Sequence, residues 1–159
     1  MLGKITDATP SVRRNTVLYL VGRAAVLAAV LLTLADIVRV YMAYGTEIAV
    51  GMMIPRMGAL LGFSGSGVAG VLCTAVAFLY VIATALSVAL AGRWYAWSIV
   101  ALVLFSLDTL VTVWLFAASP SVGFLPALLV HIAVEVFLAV AVAAGRKLVH
   151  SVGREDSAE

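Results

Sequence analysis

Four long, nearly uninterrupted apolar segments constrain what this chain of 159 residues can fold into. Each reaches the ~20 residues that an α-helix needs to cross ~30 Å of hydrocarbon. They are rich in alanine, leucine and valine and lack the alternation of barrel strands, which favours helices. The segments are residues 16–41, 66–91, 95–118 and 122–145. We predict an all-α integral membrane protein: one membrane domain with four transmembrane helices and short tails at 1–15 and 146–159.

The charged residues are too few for a soluble domain. Only 11% of the residues are charged, whereas soluble domains carry about a quarter. The formal net charge is +2 and the basic residues are scattered, so no nucleic-acid partner is expected. Cys73 is the only cysteine, which excludes an intrachain disulfide and a thiolate metal cluster. The composition therefore predicts that this chain contacts the lipid bilayer.

The basic residues predict the orientation. They precede the first helix, occupy the second loop and follow the fourth helix, whereas the third loop has none. With both termini in the cytoplasm (N-in/C-in), every basic cluster lies inside, so we expect a multi-pass protein of the cell membrane. Arg13-Arg14, the following apolar run and Thr33-Leu34-Ala35 resemble a signal peptide. Arg23 interrupts that run, and we expect the first helix to be retained.

The first loop, residues 42–65, is too apolar for a solvated connection. Pro55 and several glycines argue against a full span within it. We predict an interfacial or re-entrant segment in this loop, on the outer face. Residues 31–41 also align without gaps on 104–114, which suggests a duplication of two helical hairpins.

Ionisable side chains lie inside three of the predicted spans, where one charge costs ~2.5–3.5 kcal/mol on the insertion scale. A rise of 1.5 Å per residue, counted from the outer ends of their helices, places these side chains at similar depths near the middle of the membrane. His131 and Glu135 also share a helix face at i and i+4. We predict a midplane polar cavity that binds a ligand or protons. Its candidate residues are Asp36, Arg39, Asp108, His131 and Glu135.

The charges in this layer do not balance. Asp36 and Arg39, at i and i+3, can neutralise each other. Asp108 and Glu135 then face His131 alone, so either a carboxylic acid holds a proton or a cation joins them. No cofactor is predicted. His131, Asp108 and Glu135 are weak candidates for a divalent metal site, because no compact metal-binding motif supports them.

Each polar residue also has a structural interpretation. Asp36 and Arg39 would form an ion pair near the outer interface, with Arg39 extending toward water. Asp108 would hydrogen-bond a neighbouring helix. His131 and Glu135 would hold the bundle together or meet another subunit.

Three function classes remain open. The first is a small-solute or ion transporter, or a membrane substrate-binding subunit; a proton-coupled form would use Glu135 or Asp108 as carrier and His131 as relay. The second is an accessory or structural subunit whose Asp108 and His131 point outward, toward a homo-oligomeric or larger membrane-complex partner. The third, ranked last, is a membrane-embedded metal-dependent enzyme acting on lipid, for which no nucleophile elbow or zinc motif is present.

Overall fold

A computed structural model describes residues 10–42, 48–65, 67–91, 95–120 and 122–155, with side chains up to residue 149. These ranges contain helices and connecting segments but no strand. In chain order the helices are α1 (Pro10–Tyr41), α2 (Met53–Ser64), α3 (Gly67–Leu90), α4 (Ala96–Ala118) and α5 (Leu125–Glu155). A short 3₁₀ turn, Val122–Phe124, precedes α5.

Four of these helices are long and apolar enough to cross a membrane, which confirms the predicted number and indicates a multi-pass membrane protein. The bounds of α3 and α4 differ from the predicted spans by at most one residue. The described part of α1 extends back to Pro10, before the predicted start at residue 16. α5 continues to Glu155, so part of each predicted tail is helical.

The four long helices close into a bundle. α1 packs most extensively on α5, and contacts between α5 and α4, α4 and α3, and α3 and α1 complete the ring. Small and β-branched side chains fill most of its core around Phe105 and Leu138. Large apolar side chains cover the outside, as Leu31, Val71 and Leu110 illustrate with 66%, 69% and 66% exposure. An apolar surface of this extent marks a membrane or partner contact.

Two side chains of α1 cap the C-terminal end of α3. Tyr19 Oη donates a hydrogen bond to the carbonyl oxygen of Ala91 at 2.6 Å. Arg23 Nε donates to the carbonyl oxygen of Val88 at 3.2 Å. The last carbonyls of a helix lack partners within it, so these bonds satisfy groups that would otherwise be unpaired. Arg23, which interrupts the apolar run of α1, therefore has a structural role.

The first loop contains a short helix that the sequence did not predict. α2 packs mainly on α3 and also contacts α1 and α4. Its first residue, Met53, lies beside Asp108, about 15 Å from the end of α4 at 1.5 Å per residue. The chain thus enters the bundle, starts α2 at the level of Asp108 and returns toward the end from which it came. We term residues 48–54 the inserted segment.

We expect Gly22→Ala to destabilise the packing of α1 on α5. A Cβ at Gly22 would overlap the Ala141 side chain and lie 2.7 Å from the carbonyl oxygen of Phe137. Overpacking of this kind costs about 1–3 kcal/mol. Thermal unfolding in detergent should show a lower Tm, whereas Ala24→Val, at an exposed position two residues away, should leave Tm unchanged. Equal Tm values for both variants would contradict the close contact.

Candidate functional site

Six consecutive backbone amides, those of residues 49–54, donate hydrogen bonds to groups outside the inserted segment. Each buried amide without a partner would cost about 1–3 kcal/mol, so these bonds decide whether the segment can lie inside the bundle. The amide of Ala49 donates to the carbonyl oxygen of Gly123 at 3.0 Å. The other five donate to side chains of α1 and α4.

The α1 side of the site is formed by Asp36 and Thr33. Asp36 Oδ2 accepts the N–H groups of Val50 and Gly51 at 2.9 and 2.7 Å. Thr33, one turn earlier, accepts the N–H of Met52 on Oγ1 at 2.7 Å. Gly51 is needed for this approach, because a Cβ there would overlap the backbone of Thr33. α1 therefore positions three consecutive amides with two polar side chains.

The α4 side is formed by Asp108, whose side chain has no exposed surface. Its two oxygens accept the N–H groups of Met53 and Ile54 at 2.8 and 2.6 Å. These are the first amides of α2, which have no acceptor within their own helix. The positive end of the α2 dipole also faces the carboxylate. Asp108 thus caps a helix from another part of the chain, and the helix stabilises its negative charge.

His131 of α5 completes the site. Its Nε2 lies 2.6 Å from Asp108 Oδ2 and 3.3 Å from Thr112 Oγ1. Because the Thr112 hydroxyl donates to the carbonyl of Asp108 at 2.9 Å, its oxygen is an acceptor toward the ring. His131 Nδ1 lies 2.6 Å from the carbonyl oxygen of Ala127, which can only accept. Both nitrogens therefore face acceptors, and the geometry fits an imidazolium paired with the Asp108 carboxylate.

The environment of His131 is apolar apart from these partners. Its side chain has no exposed surface, and the ring of Phe105 lies 5.1 Å from it between centroids at 31°. A cation beside an aromatic face gains electrostatic stabilisation. Removing one member of a buried ion pair costs about 3–5 kcal/mol, so Asp108 and His131 depend on each other.

Two arginines accompany Asp36. Arg39 Nη1 lies 3.6 Å from Asp36 Oδ1, and the Arg39 side chain is 40% exposed while that of Asp36 is 4% exposed. Arg56 of α2 is buried. Burial lowers the pKa of the Arg56 guanidinium, the Asp36 charge opposes this by raising it, and Arg39 lowers it further. The charge count made from the sequence omitted Arg56, which adds a second cation beside Asp36.

Glu135 lies apart from this cluster. Ser106 Oγ donates a hydrogen bond to Glu135 Oε1 at 2.5 Å, and Glu135 is partly exposed. The structure thus brings Asp108 and His131 into direct contact. It links Asp36 and its partner Arg39 to them through the inserted segment, and it places Glu135 with Ser106.

The buried dyad bears on two of the function classes. Asp108 and His131 do not line an open cavity in this conformation, and they point inward rather than toward a docking partner. Within the described ranges no three His, Cys, Asp or Glu side chains are arranged to hold a metal ion. The weak candidates His131, Asp108 and Glu135 form no such group, because Glu135 bonds Ser106 instead.

Sequence reasoning missed Arg56, Ser106 and the six backbone amides. An arginine directly after Pro55 in an apolar loop was a usable signal for burial, but the charge count did not include it. Ser106 carried no signal, because serine is common in membrane helices. The amides carried none either, since every residue except proline has an N–H group.

Comparison with known proteins adds no further constraint. No protein-family model, curated protein or solved structure matches this chain.

We expect Asp108→Asn to release the inserted segment. Asparagine replaces one acceptor oxygen by an NH₂ group, so an amide of α2 loses its acceptor and His131 loses its counter-ion. In a Cys73→Ala background, the thiol of Val50→Cys should then react with a water-soluble maleimide about tenfold faster or more, since ~1.4 kcal/mol corresponds to a factor of ten.

The matched control is Thr109→Val, which removes the hydroxyl next to Asp108. That hydroxyl donates to the carbonyl of Phe105 within α4 at 3.0 Å and does not contact the inserted segment. The Thr109→Val protein should react at the rate of the parent. If Asp108→Asn does not change the rate of the maleimide reaction, the Asp108 carboxylate does not hold the inserted segment in place.

Proposed function

We propose that the four long helices span the cell membrane with both termini in the cytoplasm. The described helix ends support this orientation. Basic residues lie near the start of α1, at Arg13 and Arg14, and near the end of α5, at Arg146 and Lys147. The end of the bundle where α4 ends and α5 begins carries no basic residue on these two helices. Basic residues accumulate on the cytoplasmic side of membrane proteins. In this orientation the inserted segment and α2 are re-entrant from the outer face.

Reporter fusions test the orientation. Green fluorescent protein fused to the C-terminus should fluoresce, and alkaline phosphatase at the same position should be inactive, because the positive-inside rule keeps this end in the cytoplasm. Alkaline phosphatase fused after Pro120, between α4 and α5, should be active. The reverse activities at the two positions would refute the topology while leaving the fold intact.

We propose further that the protein transports a small solute or ion and couples this transport to protons. The observation that carries the proposal is the position of the Asp108–His131 ion pair, which binds the first amides of a re-entrant helix. An acid–base pair and a segment held by hydrogen bonds thus share one carboxylate. Transporters commonly place half-helix N-termini of this kind at their binding sites near the bilayer midplane.

The coupling follows from the hydrogen bonds. As a carboxylate, Asp108 accepts two amide bonds from α2, each worth about 1.5–3 kcal/mol because the acceptor is charged. If Asp108 takes up a proton from the outer side while His131 keeps its own, these bonds weaken and the inserted segment is held less tightly. Segment release would open a path from the outer face and free amides that can bind a solute. Release of this proton to the cytoplasmic side would restore the carboxylate and its amide bonds, so the path would close and one proton would have crossed.

Proton flux into vesicles tests this proposal. The full chain is reconstituted in phosphatidylethanolamine–phosphatidylglycerol vesicles that contain the pH indicator pyranine. Amino acids, carboxylates, sugars and inorganic cations are added outside, one class at a time, at slightly acidic external pH. We expect one class to cause internal acidification. Asp108→Asn should reduce it about tenfold, within the ~5–150-fold range typical of coupling between sites.

Thr109→Val is again the control and should retain the flux. Equal fluxes for Asp108→Asn and the parent, with the same elution profile in size-exclusion chromatography, would exclude the dyad as the proton site. Absence of solute-dependent flux for every class would favour the second candidate.

The second candidate is an accessory or structural subunit of a membrane complex or homo-oligomer. One observation favours it: every buried side-chain nitrogen and oxygen atom of the described residues has a hydrogen-bond partner within the chain. The polar layer is then complete without ligand or ion. Docking would use the exposed apolar surface rather than Asp108 and His131. Purification as a stable monomer with solute-dependent proton flux would exclude this candidate.

A further inference from the structure

Glu135 and Ser106 form a second polar pair, separate from the Asp108 site. Counted along the candidate span Val122–Val149, Glu135 lies about 20 Å from either end at 1.5 Å per residue. Ser106 is similarly central in α4, about 15 Å from its start and 18 Å from its end. If α4 and α5 span the membrane as proposed, this pair lies near the bilayer centre.

Glu135 lies at the outer surface of the bundle, where it is partly exposed. Its neighbours Ile132 and Val136 on α5 are 52% and 57% exposed, and Leu107, next to Ser106, is 49% exposed. Glu135 itself is partly exposed between this surface and the buried Leu138. The surface around Glu135 is therefore apolar and suited to contact with lipid chains rather than water.

The pair offers little stabilisation for a negative charge. Among the described residues no cation forms an ion pair with Glu135, and the hydroxyl of Ser106 is its hydrogen-bond donor. Asp108 differs, because it receives two amide bonds and an imidazolium. A charged carboxylate near the bilayer centre without such partners is costly.

We propose that Glu135 is a proton-binding site that is accessible from the lipid phase and is held by Ser106 in its carboxylic acid form. The carbonyl oxygen of the acid accepts the hydrogen bond from Ser106, and its O–H group faces the apolar surface. This assignment rests on the proposed membrane insertion of α4 and α5 but not on transport or on Asp108. A lipid-soluble reagent that reacts with carboxylic acids should therefore modify Glu135.

Dicyclohexylcarbodiimide is such a reagent. The acidic proton moves to one carbodiimide nitrogen, and the carboxylate oxygen bonds to the central carbon to give an O-acylisourea. The acyl group then migrates from oxygen to the neighbouring nitrogen, forming a stable N-acylurea. The reaction is an addition and a rearrangement, so no group leaves and nothing is oxidised or reduced. The adduct marks the site permanently.

The experiment treats the full chain, in phosphatidylcholine–phosphatidylglycerol nanodiscs, with dicyclohexylcarbodiimide and maps the adduct by peptide mass spectrometry. We expect the adduct on Glu135, with about tenfold less or none on the buried Asp108. A charged, water-soluble carbodiimide should label Glu135 about tenfold more slowly, because it does not partition into the bilayer. Glu135→Gln should abolish the labelling.

Infrared spectroscopy gives an independent measurement. The difference spectrum between the parent and Glu135→Gln should contain the carbonyl band of a protonated carboxylic acid. Ser106→Ala should shift this band to higher frequency, because the hydrogen bond to the carbonyl is lost, while labelling continues. Absence of the band, equal labelling of Asp108 and Glu135, or faster labelling by the charged reagent would overturn the assignment. The reporter fusions test membrane insertion separately. A negative labelling result can therefore be distinguished from a failure of α4 and α5 to span the membrane.

Discussion

The hydrogen bonds between two carboxylates and the amides of the inserted segment determine how this bundle can close. Non-helical backbone inside an apolar bundle is stable only when its N–H groups have acceptors, and a buried carboxylate is stable only when it has donors. Asp36 and Asp108 meet both requirements at once, since each accepts two successive amides. Without these acids the segment would have to leave the bundle, and α2 would lose the partner of its first turn. Residues that look costly in a membrane sequence therefore make the architecture feasible.

Asp108 has a special position because three elements depend on it. It binds α2 through two amides and α5 through His131, while α4 carries it. A change in the charge of this one group therefore alters the stability of contacts among three helices. Asp36, in contrast, is paired with Arg39 and lies near Arg56, so its charge is balanced by groups that remain cationic. This difference is the physical reason for placing the proton-dependent step at Asp108 rather than at Asp36.

The sequence predicts well what depends on local properties and poorly what depends on packing. Helix number and spans follow from length and hydropathy, and depth counting correctly brought Asp108 and His131 to the same level. The helix within the first loop was missed because its start is fixed by Asp108, 55 positions away in sequence. Glu135 shares a helix face with His131 at i and i+4, yet a face is ~100° wide. Packing against α4 buries His131 fully and leaves Glu135 at the edge with Ser106, which periodicity alone does not distinguish.

Asp108 and Glu135 illustrate how two carboxyl groups in one small bundle acquire opposite properties. Asp108 has donors from a helix N-terminus and an imidazolium, which replace the water that a carboxylate normally binds. Glu135 has one hydroxyl and an apolar surface, which replace far less of that hydration. When environments separate two acidic groups in this way, they take different roles. In the proposed roles, the charge of Asp108 controls the position of the inserted segment, whereas Glu135 holds a proton at the surface of the bundle.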